Sequence, residues 1–181
     1  MIVLFSILAA ILVIVALLFL TSTFMRKEHK VTTEITINAP SQELYDYLRI
    51  LKNQDKFNKW AATDANRQIE TTGVDGTVGY IYAWTGNRSA GKGAKEILSL
   101  TEGKEIVSEI RFEKPMKTSA QITMNLEDLG NNQTKVRWTN SGELPIPFNI
   151  MIPFFEKNFA KDMNESMLKL KTIFENNEQH N

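Results

Sequence analysis

The chain is 181 residues long and carries 21 basic and 21 acidic side chains, so its formal net charge is zero. That balance leaves no electrostatic footprint for nucleic acid. The absence of cysteine rules out a thiolate nucleophile, a thiolate metal site and a disulfide framework.

From Ile2 to Phe24 no residue is charged and only Ser6, Thr21, Ser22 and Thr23 are polar. At about 1.5 Å per residue the run reaches roughly 34 Å, enough to cross a hydrocarbon core of about 30 Å. A cleaved secretory signal needs a basic start, a shorter apolar core and small residues at its exit. Here no Lys or Arg precedes the run, and Leu20-Thr-Ser-Thr-Phe-Met has no Ala-x-Ala pattern. Residues 1–25 are therefore expected to form an uncleaved single-pass anchor that meets the membrane through residues 2–24. Arg26, Lys27 and Lys30 follow it, and basic flanks are retained on the cytoplasmic side, which places the C-terminal domain in the cytoplasm. Insertion in the opposite sense stays open. Residues 26–30 read as a short basic linker.

The remaining ~155 residues match the usual size of one domain, expected over 31–176, with a frayed polar tail at 177–181. Val31, Thr33, Ile35 and Ile37 alternate with polar residues as a strand does. Pro40 stops it, and Ser41 is the expected N-cap of a helix from about Gln42 to Ile50. A second helical piece is expected from about Gln54 to Trp60, presenting Phe57 and Trp60 to the core. From Ile69 onward about six strands are separated by turn signals, among them Gly73-Val-Asp-Gly, Gly86-Asn-Arg-Ser and Gly130-Asn-Asn. Ile106, Ser108, Ile110 and Phe112 share one face, as do Ile122, Met124 and Leu126, and Val136, Trp138 and Asn140. Between about Pro153 and Glu175, Phe155, Phe159, Met163, Ser166 or Met167, Leu170 and Phe174 form the stripe of a long amphipathic helix. This α+β order asks the last helix to cover the apolar face of one curved antiparallel sheet.

The run Ile37-Asn-Ala-Pro-Ser-Gln-Glu-Leu-Tyr-Asp-Tyr-Leu resembles the entry motif of the helix-grip (SRPBCC) superfamily. That superfamily includes START lipid-transfer domains, plant pathogenesis-related proteins and polyketide cyclase/dehydrase-like proteins. Trp60, Gly79-Tyr-Ile-Tyr-Ala-Trp-Thr-Gly-Asn, Gly91-Lys-Gly, Phe112-Glu-Lys-Pro-Met and Gly142-Glu-Leu-Pro resemble a bacterial, membrane-anchored branch of the polyketide cyclase-like proteins. The resemblance covers residues 31–175. It implies a seven-stranded sheet with two short helices gripping the C-terminal helix, and a cavity for an apolar ligand between them.

Tyr80, Tyr82 and Trp84 alternate along one strand, and all three rings point to one face. With Trp60, Phe112, Met124, Trp138, Phe155, Phe159 and Met163 they are the candidate lining of an aromatic and thioether cavity for a lipid or other apolar small molecule. Each ring, taken singly, reads first as core filling; it is the group that points to a cavity.

Catalytic signals are sparse. His29 stands beside the apolar run and His180 in the tail, and no metal-ligand spacing or nucleophile elbow occurs. No cofactor is expected. Glu96 is the weak candidate acid or base, its competing placement being an outward strand carboxylate. Gly91-Lys-Gly93 lacks the ending and context of a phosphate loop and suits a bulge in a bent sheet. The apolar loop Pro145-Ile-Pro-Phe could be a cavity gate, a membrane-touching patch or a buried entry to the last helix. The leading expectation is a membrane-anchored binder of a hydrophobic molecule. A cyclase/dehydrase-type enzyme and a protein-interaction module related to Hsp90 activators are the alternatives. Oligomeric state is left open.

Overall fold

The computed structural model of the chain describes residues 1–177. Helix α1 covers Ile2–Phe24, and all of its residues are exposed except Ser22. It is long and apolar enough to cross a membrane. Strand β1 covers Glu28–Ile37 and so begins three residues earlier than the alternation of Val31 to Ile37 indicates. The cause is its partner: β7, Gln133–Glu143, runs on to pair Glu143 with Glu28 and Gly142 with His29. This pairing absorbs most of the expected 26–30 linker.

Helix α2 covers Ser41–Leu48 and buries Leu44, Tyr45 and Leu48. Ser41 is its first helical residue and not the cap; Pro40 holds the cap position, and no side chain caps there. The second helical piece lies earlier than expected, as α3 at Leu51–Gln54. Asp75 explains the shift, because its carboxylate accepts the Leu51 and Lys52 amides at 2.8 and 3.2 Å and so starts a helix there. Phe57 and Trp60 come instead from the turns that follow, ahead of a 3-10 turn at Ala61–Thr63.

The remaining strands are β2 (Gln68–Thr72), β3 (Ile81–Thr85), β4 (Lys92–Thr101), β5 (Glu105–Lys114) and β6 (Thr118–Gly130). With β1 and β7 they form one antiparallel sheet in the order β1-β7-β6-β5-β4-β3-β2. The β6–β7 hairpin turns through Gly130, Asn131 and Asn132, all at positive φ, and Asn and Gly are the residues that tolerate this conformation best. Gly93 permits a different closeness: a Cβ there would lie 2.5 Å from the Arg111 carbonyl oxygen and 2.7 Å from the Trp84 ring.

After a 3-10 turn at Phe148–Met151, helix α4 covers Ile152–Asn177 and lies principally along β1. Its expected stripe faces inward: Met163, Ser166, Met167, Leu170 and Phe174 are buried, and Phe155 and Phe159 are half-buried. Phe159, Met163, Met167, Leu170 and Phe174 pack with Ile37, Leu44, Leu48, Met124, Val136 and Trp138 into the main core. Each fully buried side chain of this size contributes about 1.5–3 kcal/mol. The fold is the helix-grip α+β architecture, with a curved sheet holding its last helix.

Candidate functional site

The inward face of the sheet follows from strand parity. Along β1 the inward positions are His29, Val31, Thr33, Ile35 and Ile37, and along β7 they are Thr134, Val136, Trp138 and Asn140. Ile122, Met124 and Leu126 continue the face on β6, as do Ile106, Ser108, Ile110 and Phe112 on β5. Because α4 runs along β1, the far half of this face is less covered. Ile110, Phe112 and Trp84 are only half-buried there.

The ten candidate lining residues fall into three groups. Trp60 stacks on Phe159 at 4.7 Å between ring centroids, Phe159 stacks on Phe155 at 5.0 Å, and Trp138 meets Trp60 edge-on at 6.2 Å. Met124 and Met163 are buried in the same core. Tyr80 and Tyr82 instead belong to a smaller cluster with Leu51 and Ile97. Trp84 and Phe112 make a third pair, edge to face at 5.7 Å. Tyr80 precedes β3, and only Tyr82 and Trp84 lie on the strand. The polar tips of that strand have partners within the chain. Tyr82 donates to Asp55, and Trp84 Nε1 donates to the Ala90 carbonyl at 3.0 Å.

Glu96 lies on the outer face. Its carboxylate accepts Arg111 at 2.7 Å, and Arg111 also holds Glu109 at 2.5 Å. The parity that buries Ile97 turns its neighbour outward. The same parity turns Lys95 inward, where it is buried and donates to Gln54 Oε1 at 2.5 Å. Burial drives the Lys95 amine down to about 8, against the opposing pull of Asp55. Asp55 is also held by Arg67 at 2.7 Å. Burial, reinforced by the hydrogen bond to Asp55, pushes the Tyr82 hydroxyl up to about 12, so it stays protonated at neutral pH.

His29 is inside the domain. It is buried on the inward face of β1, its Nε2 is 3.0 Å from Asn140 Oδ1, and its ring meets Phe155 edge-on at 5.0 Å. The Nδ1 of His29, Thr33 Oγ1 and Trp138 Nε1 are buried without a hydrogen-bond partner. Thr33 and Trp138 are directly opposed across β1 and β7. An apolar wall thus contains three unpaired polar atoms, each of which costs about 1–3 kcal/mol to bury. His180 lies outside the described residues, and among those described no cluster of three or more His, Asp or Glu is placed to hold a metal.

Two open depressions lie elsewhere. One of about 690 Å³ is bounded by Ser41, Glu102, Lys104, Asn125 and Asp128, and one of about 420 Å³ by Lys117, Gln121, Ser141 and Pro145. Both are walled largely by polar side chains at strand ends.

The junction with α1 is closely built. Asn149, fully buried, donates through Nδ2 to the carbonyls of Ser22 and Met25 at 2.7 and 3.2 Å. The Leu144 amide bonds the Lys27 carbonyl at 2.9 Å, and Arg26 pairs with Glu156 at 2.6 Å. Burial works to raise the Glu156 carboxyl, but Arg26 and the Lys30 amide outweigh it and hold the group below its ordinary value. No sequence pattern signals Asn149, since its partners lie more than 120 residues away.

The profile of a family described as "Polyketide cyclase / dehydrase and lipid transport" matches residues 28–175. No curated protein sequence matches the chain. Among solved structures, a protein from Chromobacterium violaceum superposes with a TM-score of 0.58 at 17% identity, covering 81% of this chain and 97% of that one. The Aha1 dimer from Colwellia psychrerythraea gives 0.56 at 21% identity over 80% and 95% of the two chains. Major latex-like protein 151 from Panax ginseng gives 0.55 at 10% identity over 82% and 99%. At these identities the likeness is one of fold.

Proposed function

The chain belongs to the polyketide cyclase/dehydrase and lipid transport family, and from that membership we propose that it binds a hydrophobic small molecule bearing a polar group, in a domain tethered to a membrane by α1. The observation that carries this reading is the set of unpaired atoms on β1 and β7. His29 Nδ1, Thr33 Oγ1 and Trp138 Nε1 sit unpartnered; the His29 ring meets Phe155, the Trp138 ring meets Trp60, and Thr33 is paired with Trp138 across the strands. Such a surface suits a ligand that is apolar over most of its length and offers a hydroxyl, carbonyl or carboxyl at one point. Met124 and Met163 belong to the core beside the Trp60 stack, while Tyr80, Tyr82, Trp84 and Phe112 remain proposed contacts in two clusters of their own. Arg26, Lys27 and Lys30, which follow α1, support a cytoplasmic domain by the positive-inside rule.

Native mass spectrometry of the full chain, with extraction of bound lipid, tests the proposal. A co-purifying apolar compound, lost on Trp138→Phe, supports it. Protein that is empty in every preparation and gains no thermal stability from fatty-acid or isoprenoid probes overturns it.

A second reading, a cyclase- or dehydrase-type enzyme, is favoured by Lys95. An amine titrating near 8 in the fold interior is a usable base, and Tyr82, hydrogen-bonded to Asp55, stands on the facing position of the neighbouring strand. If Lys95→Met retains ligand but no longer converts it, the enzyme reading gains.

A further inference from the structure

Outside α1, the exposed large apolar side chains are mostly scattered over separate elements, but three are gathered beside the end of that helix. Phe148 is 52% exposed, Met151 50% and Phe154 65%, and Phe24 at the end of α1 is 85% exposed. Their level relative to α1 is fixed by Asn149, which lies between Phe148 and Met151 and reaches the Ser22 carbonyl at 2.7 Å. Ser22 is two residues inside the helix end, roughly 3 Å along its axis. A segment touching Ser22 therefore sits at the depth of the last apolar turn.

The charges agree with this placement. The first turn of α4 carries no acidic residue. Glu156, one turn on, is neutralised by Arg26. Arg26 and Lys27 directly follow the apolar run, a position that favours basic residues when such a run crosses a bilayer.

We infer that the turn Phe148–Met151 and the first turn of α4 are a second membrane contact, with Phe148, Met151 and Phe154 inserted at the boundary between headgroups and acyl chains of the bilayer that holds α1. This rests on α1 being a membrane anchor. The contact sets the domain down on the bilayer. The Phe155 and Phe159 rings, the first steps of the stack leading to Trp60, begin at that edge.

The chain has no cysteine, so each introduced cysteine carries a nitroxide label uniquely. Full-length Leu12→Cys, Phe148→Cys, Met151→Cys, Phe154→Cys and Leu168→Cys are reconstituted in phosphatidylcholine/phosphatidylglycerol vesicles, and label collisions with oxygen and with a water-soluble nickel chelate are compared. Labels at 12, 148, 151 and 154 should favour oxygen several-fold over the label at 168, which is 58% exposed on α4. If 148, 151 and 154 behave like 168 while 12 favours oxygen, the anchor stands and this inference is overturned. If 12 itself favours nickel, the anchor reading fails and takes the inference with it. Shielding of 148, 151 and 154 from both reagents means that a second copy or another protein covers the patch, which also overturns the assignment to lipid.

Discussion

Lys95 Nζ donates to Gln54 Oε1 across 2.5 Å, and Gln54 Nε2 donates onward to the Leu48 carbonyl at 2.7 Å. One amide thus joins an amine inside the sheet to the last turn of α2. Lys95 titrates near 8 in the folded chain against an ordinary value of 10.5. Between these values the unfolded chain binds more protons, so stability must rise with pH. Below about 8 the full cost of the buried charge is present, about 3 kcal/mol. Tyr82, raised from 10.0 to about 12, acts in the opposite sense above pH 10. Denaturant unfolding in detergent should show wild type gaining stability from pH 8 to 10, with Lys95→Met flat over that window. Parallel curves for the two proteins would remove Lys95 as the cause.

Thr33→Val deletes an unpartnered buried hydroxyl and keeps the side-chain shape. The ligand-free chain should gain about 1 kcal/mol. Retention of the apolar ligand should fall, so stability and binding move in opposite directions. A variant that loses both has been damaged in packing instead.

Leu170 is fully buried between α4 and the sheet. Leu170→Ala should cost 2–5 kcal/mol, an order-of-magnitude range for a buried leucine, read from the denaturation midpoint. Glu96→Gln, on the outer face beside Arg111, should change stability by no more than about 0.5 kcal/mol and leave ligand retention intact. Loss of binding in Glu96→Gln would return that residue to the site.

Asn149→Ala removes the amide that holds the Ser22 and Met25 carbonyls. The expected result is faster proteolysis at residues 25–27 with a domain melting temperature nearly unchanged. Equal cleavage rates in the two proteins would mean that Leu144 and Arg26 hold the junction without it.

Much of the fold was legible because strand parity and helical spacing are local. Met163, Met167 and Leu170 announce the α4 stripe, and Val136, Trp138 and Asn140 announce one face of β7. Parity, applied one step further, also gives the interior amine: Ile97 must be inward, so Lys95 is inward and Glu96 is not. The Glu96 carboxylate has the more familiar acid-base chemistry, but strand parity gives the interior position to Lys95. His29 was hidden differently. It sits in a polar stretch whose extended conformation comes from pairing with Gly142, over 100 residues away. Asn149 and Asp75 act on carbonyls and amides of distant segments, and no spacing rule reaches them.

The bond between Asn149 and Ser22, with Leu144 and Arg26 beside it, makes α1 and the domain one mechanical piece. On the proposed reading, a 23-residue helix leans further in a thin bilayer than in a thick one. A flexible joint would absorb that lean. This joint transmits it, so the pitch of the whole domain against the lipid surface becomes a function of bilayer thickness, with α1 as the lever arm.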